Sequence, residues 1–221
     1  MRYRILTAAA FALGLAVSPA ISGCSEAVPP THGVYMLIDT SGTYTEEINK
    51  AKTIVRYLLA NLGASDSLAV ARIDSGSFSE KDILARVTFD DRPSMANEQK
   101  RAFMGKVDHF SAAVRASAHT DITGGLLQAV EWLNETRAGT RTVLIFSDLE
   151  EDLAKGEVRN FPIALNGVRV IALNVTKLRK DNIDPRDYMR RLAGWQERVE
   201  SGGGTWQVVN DLDRLDRALH I

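Results

Sequence analysis

The chain has 221 residues, 45% hydrophobic and 25% charged, which at roughly 100–200 residues per domain fits one globular domain, two at most. Those fractions exclude a disordered tail, a collagen-like repeat and a multi-span membrane protein, and a net charge of -1 predicts no bulk attraction to nucleic acid. The single cysteine excludes a disulfide scaffold and a cysteine-based zinc site. His32, His109, His119 and His220 contain no pair at the spacing a helical zinc motif needs.

The first two dozen residues differ from the rest. Arg2 and Arg4 are followed by a run from Ile5 to Val17 whose only polar member is Thr7. That run is short for a bilayer of ~30 Å, which takes about 20 residues to cross, and suits the apolar region of a secretory signal. Ile21-Ser22-Gly23-Cys24 resembles the bacterial lipobox. The resemblance implies removal of residues 1–23, lipidation of Cys24 and anchoring of the chain to a membrane through that lipid. It also implies a place in the bacterial cell envelope, facing the periplasm. Ser25, in place of aspartate, favours the outer membrane. Residues 24–32 are expected to form a polar, Pro-rich tether, with a domain over 33–221.

The body alternates apolar runs with helical periodicity. Val34 to Ile38 is a continuous apolar run, expected of a strand buried on both faces. A helix is predicted from about 45 to 61, with Ile48, Ala51, Ile54, Val55, Leu58 and Leu59 on one face. Strands are predicted at Ser67–Ile73 and, as an edge, at Ile83–Phe89. Helices follow from Pro93 to about Phe110 and from Asp121 to Glu135. Thr142–Phe146, Val168–Leu173 and Trp206–Val209 read as strands, Pro185–Glu200 and Leu212–Leu219 as helices. This alternation predicts an α/β fold: a doubly wound, mostly parallel six-stranded sheet with helices on both faces and one antiparallel edge strand. In such sheets ligands bind beyond the carboxyl ends of the strands.

Three polar clusters fall at those ends. Asp39-Thr40-Ser41-Gly42-Thr43 follows the first strand, Thr120-Asp121-Ile122-Thr123-Gly124-Gly125 opens a helix, and Ser147-Asp148 follows the fourth strand. Hydroxyl and carboxylate oxygens from three loops suit a hard divalent cation. On these residues the sequence resembles the von Willebrand factor A domain. That family has a metal-ion-dependent adhesion site built on Asp-x-Ser-x-Ser, a Thr and an Asp in this order. The resemblance implies Asp39, Ser41, Thr43, Thr120 and Asp148 as the metal set, with Mg2+ as the cation and Ca2+ or Mn2+ as alternatives. It implies no catalysis: a protein partner would offer a carboxylate to the metal, in adhesion or complex assembly. The alternative is a structural protein whose metal only stabilises the fold. Two departures are visible. Thr43 stands where Ser is usual, and Ser147-Asp148-Leu149-Glu150 replaces Thr-Asp-Gly. The acidic run Glu150-Glu151-Asp152 reads as a solvated loop or as support for the ligands.

Other chemistries lack their residues. An aspartyl-phosphate enzyme needs a second acid where Ser41 stands. There is no Gly-x-Ser-x-Gly elbow and no P-loop. Gly202-Gly203-Gly204 precedes a strand and so is no dinucleotide fingerprint. Trp132, Trp195 and Trp206 are expected to pack in the interior, and His119 and the cluster Lys177, Arg179 and Lys180 to lie in loops.

Overall fold

A computed structural model describes residues 31–42, 47–211, 214–219 and 221. In chain order the elements are β1 (His32–Asp39), α1 (Ile48–Asn61), β2 (Ser67–Ile73), β3 (Ile83–Thr88), α2 (Pro93–Ala113), α3 (Ile122–Thr136), β4 (Thr140–Phe146), β5 (Arg169–Leu173), α4 (Pro185–Ser201), β6 (Thr205–Val209) and α5 (Leu215–Leu219). The strands form one sheet in the order β3-β2-β1-β4-β5-β6. β3 alone is antiparallel to its neighbour; the other pairings are parallel. The α/β expectation, including the antiparallel edge strand, holds.

Pleating divides the interior in two. Val34, Met36 and Ile38 of β1 point to one face, where Ile54 and Leu58 of α1, Phe103 and Val107 of α2, and Leu215 of α5 cover them. Tyr35 and Leu37 point to the other, under Leu126 and Leu133 of α3 and Trp195 and Val199 of α4. A strand covered on both sides must be apolar throughout, which is why β1 reads as a continuous run. β3 has a free edge and only Ala85 fully buried, so polar residues interleave along it.

Element ends shift by a few residues. β1 begins at His32, because the His32 N–H donates to Asp66 Oδ1 at 2.7 Å and the Thr140 N–H to Thr31 O. The last residue of the expected tether is thus sheet; residues 24–30 lie outside the described residues, as do the signal segment and Cys24. α2 runs three residues beyond Phe110. α5 is a five-residue helix, shorter than the predicted Leu212–Leu219, of which 212 and 213 are not described. Among the described residues no helix is long and apolar enough to cross a membrane.

The chain leaves β1 toward β2 and β3, then returns to β4 on the other side of β1. The switch point therefore lies between β1 and β4, with Asp39 at the end of one and Asp148 just past the other.

Candidate metal centre

Two isolated bridges stitch the three polar loops together. Ser41 pairs with Ser117, whose N–H donates to Thr40 O at 2.8 Å, and Thr120 pairs with Asp152 through reciprocal bonds of 2.7 and 3.0 Å. The turn after β1, the segment before α3 and the loop after β4 are thereby fixed against one another. One glycine brings α3 close to β1, and a second makes room for the cap of that helix. A Cβ on Gly125 would meet Leu37 Cδ2 at 2.9 Å, and one on Gly124 would meet the Asp121 carboxylate at 2.2 Å. Asp121 caps α3, accepting from the Gly124 N–H at 2.8 Å.

Asp39 is almost fully buried. Its Oδ1 accepts from the Ser41 N–H at 2.8 Å and its Oδ2 from the Ser147 hydroxyl at 2.6 Å. Burial raises its pKa above the usual carboxylate range, against the hydrogen bonds from Ser147 and Ser41. Asp148 is also buried, and burial pushes its pKa up to about 6; the Glu150 N–H and the charge of Arg191 oppose this, while the charges of Asp39 and Glu150 add to it. Among the described residues only Oδ1 of Asp148 accepts a hydrogen bond, from Glu150 N at 2.9 Å. Neither carboxylate pairs with a Lys or Arg side chain among the described residues. The guanidinium of Arg191 is committed to the Asp148 carbonyl oxygen at 2.9 Å and to Asp181 at 2.8 Å.

The structure thus brings four of the five expected ligands, Asp39, Ser41, Thr120 and Asp148, to one rim; Thr43 lies outside the described residues. The Thr120 hydroxyl makes no hydrogen bond among the described residues. Among the described residues no three His, Cys, Asp or Glu side chains stand together as a metal cluster, so a cation at this rim would depend on hydroxyl oxygens. The donor set fits a hard cation: two buried carboxylates repelling one another, with hydroxyls beside them.

Several partners were not legible from the sequence. Ser147 holds Asp39. Arg159 pairs with Asp121 at 2.8 Å, and Asp121 also accepts from the Ser77 N–H at 2.9 Å. In the acidic run after Asp148, Glu150 and Asp152 keep exposed side chains while Glu151 is tied in: Glu151 accepts from the Thr123 N–H at 2.7 Å and pairs with Arg198, and Asp152 bonds His119 at 3.0 Å. Trp132 and Trp195 are buried as expected and Trp206 partly so; Trp195 Nε1 donates to Leu149 O at 3.0 Å. Lys177 lies over the Tyr188 ring, 5.8 Å from its centroid; the side chains of Arg179 and Lys180 are outside the described residues.

No family model and no curated protein sequence matches the chain. Solved structures do. The pilus adhesin SpaC from Lactobacillus rhamnosus GG, in its open conformation, aligns over 88% of this chain at TM-score 0.53 and 13% identity, and this chain spans 30% of that one. An aerotolerance-related membrane protein from Bacteroides fragilis aligns over 86% of this chain and 96% of its own, at TM-score 0.49 and 14% identity. A von Willebrand factor type A protein from Catenulispora acidiphila covers 86% of this chain and 41% of its own, at TM-score 0.48 and 14% identity. The fold shared with the adhesin is a six-stranded, mostly parallel α/β sheet. At such identities the likeness concerns the fold alone.

The parallel α/β topology explains why one rim collects all three clusters. Each follows a strand or opens a helix at the carboxyl end of the sheet. At the place where glycine was expected after Asp148, Leu149 has φ of 65°, a left-handed conformation that β-carbon sterics disfavour. Its side chain is 1% exposed, packed in the face covered by α3 and α4.

Proposed function

We propose that this chain is a non-enzymatic binding module that holds a protein partner through a divalent cation at the β1–β4 rim, in adhesion or complex assembly. The observation carrying this reading is the pair Asp39 and Asp148: two buried carboxylates at one rim that form no ion pair with a Lys or Arg side chain among the described residues, the charge of Arg191 acting on Asp148 only from a distance. Mg2+ held by Asp39, Ser41, Thr43, Thr120 and Asp148 would supply an electrophilic centre with room for a carboxylate from the partner. Asp39 is oriented for this by Ser147 and by the Ser41 N–H, and Asp148 by the Glu150 N–H. The Thr120 hydroxyl is free to turn toward a ligand. That one structural neighbour is a pilus adhesin supports the adhesion side of the reading. Lipidation of Cys24 would tether the module to the periplasmic face of the cell envelope, with the outer membrane favoured by Ser25.

The test is calorimetric titration of MgCl2, MnCl2 and CaCl2 into the full chain after chelation. One site is expected for Mg2+ or Mn2+, weakened by Thr120→Ala and removed by Asp39→Ala. Absence of binding by all three ions overturns the proposal. If the ion binds and raises thermal stability, yet capture of an identified partner survives EDTA, the metal serves the fold and not the contact.

A further inference from the structure

A cavity of about 710 Å3 lies between α2 and the edge of the sheet, near the rim: Arg72 stands beside Ile38 at the end of β2, and Arg115 comes just before Ser117, the partner of Ser41. One helical stripe of α2 lines it, Ala102, Gly105, Lys106, His109, Phe110 and Ala113, at steps of three and four residues. Ile83 and Leu84 of β3 and Arg72 of β2 form further wall, and Arg115 stands just past the end of α2.

Three independent features make this more than a groove. First, Gly105 lies in the interior of α2, where glycine weakens a helix relative to alanine. Packing does not require it, since a Cβ there would meet nothing within 4 Å. Its effect is to leave the wall open. Second, the lining carries Arg72, Lys106, His109 and Arg115 and no carboxylate. Arg72 is held by Asp74 and Asp82, at 3.0 and 2.9 Å, but Lys106 and Arg115 make no ion pair or side-chain hydrogen bond among the described residues. Third, Phe110, Ile83 and Leu84 are partly buried, so apolar wall lies beside unpaired cations. The volume falls within the roughly 300–1,000 Å3 of small-molecule sites.

We infer that this cavity binds a small amphipathic anion: an apolar body seated against Phe110, Ile83 and Leu84, with one carboxylate at Lys106 and Arg115. Both fatty and aromatic acids have that chemistry. None of Asp39, Ser41, Thr120 and Asp148 lines the cavity, so the inference does not rest on the cation reading.

Decanoate and 2-naphthoate are titrated calorimetrically into the full chain, each beside its uncharged counterpart, 1-decanol and 2-naphthol. At least one acid is expected to saturate a single site, and the tighter of the two shows whether the body is chain-like or ring-like. The matching alcohol is expected to bind at least tenfold more weakly. The exposed double variant Lys106→Glu/Arg115→Glu is expected to weaken the acid at least tenfold, and Gly105→Phe to fill the cavity and abolish binding. Thermal melts establish that each variant is folded; if Gly105→Phe is not, Ala102→Phe replaces it. No binding by either acid, equal binding of acid and alcohol, or binding that survives the filled cavity overturns the inference.

Discussion

Asp121 and the pair Asp39–Asp148 lie on the same rim and are buried to a similar degree, 1%, 1% and 4% exposed, yet their charges are handled differently. Asp121 receives the Arg159 guanidinium at 2.8 and 3.1 Å together with the Ser77 and Gly124 N–H groups. Asp39 and Asp148 receive hydroxyl and amide donors only. Burying a charge is costly unless it is paired. The first cluster is complete as the chain makes it. The second has no such ion pair among the described residues, and that asymmetry within one rim separates a structural carboxylate from a candidate ligand.

The contrast breaks most visibly if each side is stripped of its partner. Arg159→Met leaves Asp121 buried and unpaired and is expected to destabilise the chain by about 3 kcal/mol, read by urea melts. Asp148→Asn acts in the opposite direction in chelated protein. It removes a buried charge facing Asp39 and keeps the oxygen that accepts from Glu150, so stability should rise by about 1–2 kcal/mol. The same variant should weaken Mg2+ binding by about tenfold or more, the cost of losing a charge-assisted contact. A fall in stability for both variants would mean that Asp148 is already neutralised within the chain.

Acidification sharpens the same point. In EDTA the folded Asp148 carboxyl holds its proton up to about pH 6, while an unfolded one releases it near pH 4. Between those values the native state binds more protons than the unfolded state, so stability rises as pH falls. From pH 7 to pH 5 the gain expected from Asp148 is about 1 kcal/mol, read from thermal melts. Asp148→Asn should flatten the slope; a wild-type chain that loses stability over that interval would contradict the burial of an unpaired carboxylate.

Periodicity was the legible part of this sequence. β1, β2, β4 and β5 are apolar runs because both faces are covered, and α1 shows its buried stripe at helical spacing. The three polar clusters were legible because the end of a strand is fixed by where its apolar run stops. What escaped were contacts set by tertiary geometry. Arg159 lies 38 residues from Asp121, and nothing local marks them as partners. Glu151 and Asp152 looked like a solvated acidic run, yet each binds a backbone or side-chain group brought near by α3 and α4. Ser147 was visible beside Asp148, but its bond to Asp39 spans 108 positions and depends on β1 and β4 being neighbours.

Leu149 sits between the two kinds of information. The sequence shows that a glycine expected after Asp148 is absent; the structure shows that the glycine-like backbone persists, with φ of 65°. The side chain is buried, its N–H donates to Ser147 Oγ at 3.0 Å and its carbonyl accepts from Trp195. Burying a leucine contributes about 1.5–3 kcal/mol, which offsets a left-handed backbone costing about 1–2 kcal/mol. Leu149→Ala loses the burial and keeps the strain, whereas Leu149→Gly loses the burial and relieves it. The glycine variant should therefore be the more stable of the two by about 1 kcal/mol, the reverse of the usual order at an unstrained position. Urea melts of the pair decide it. If alanine is the better substitute, the turn after β4 is unstrained in solution, and Ser147 holds Asp39 without the tight bend that now aims Asp148 at the rim.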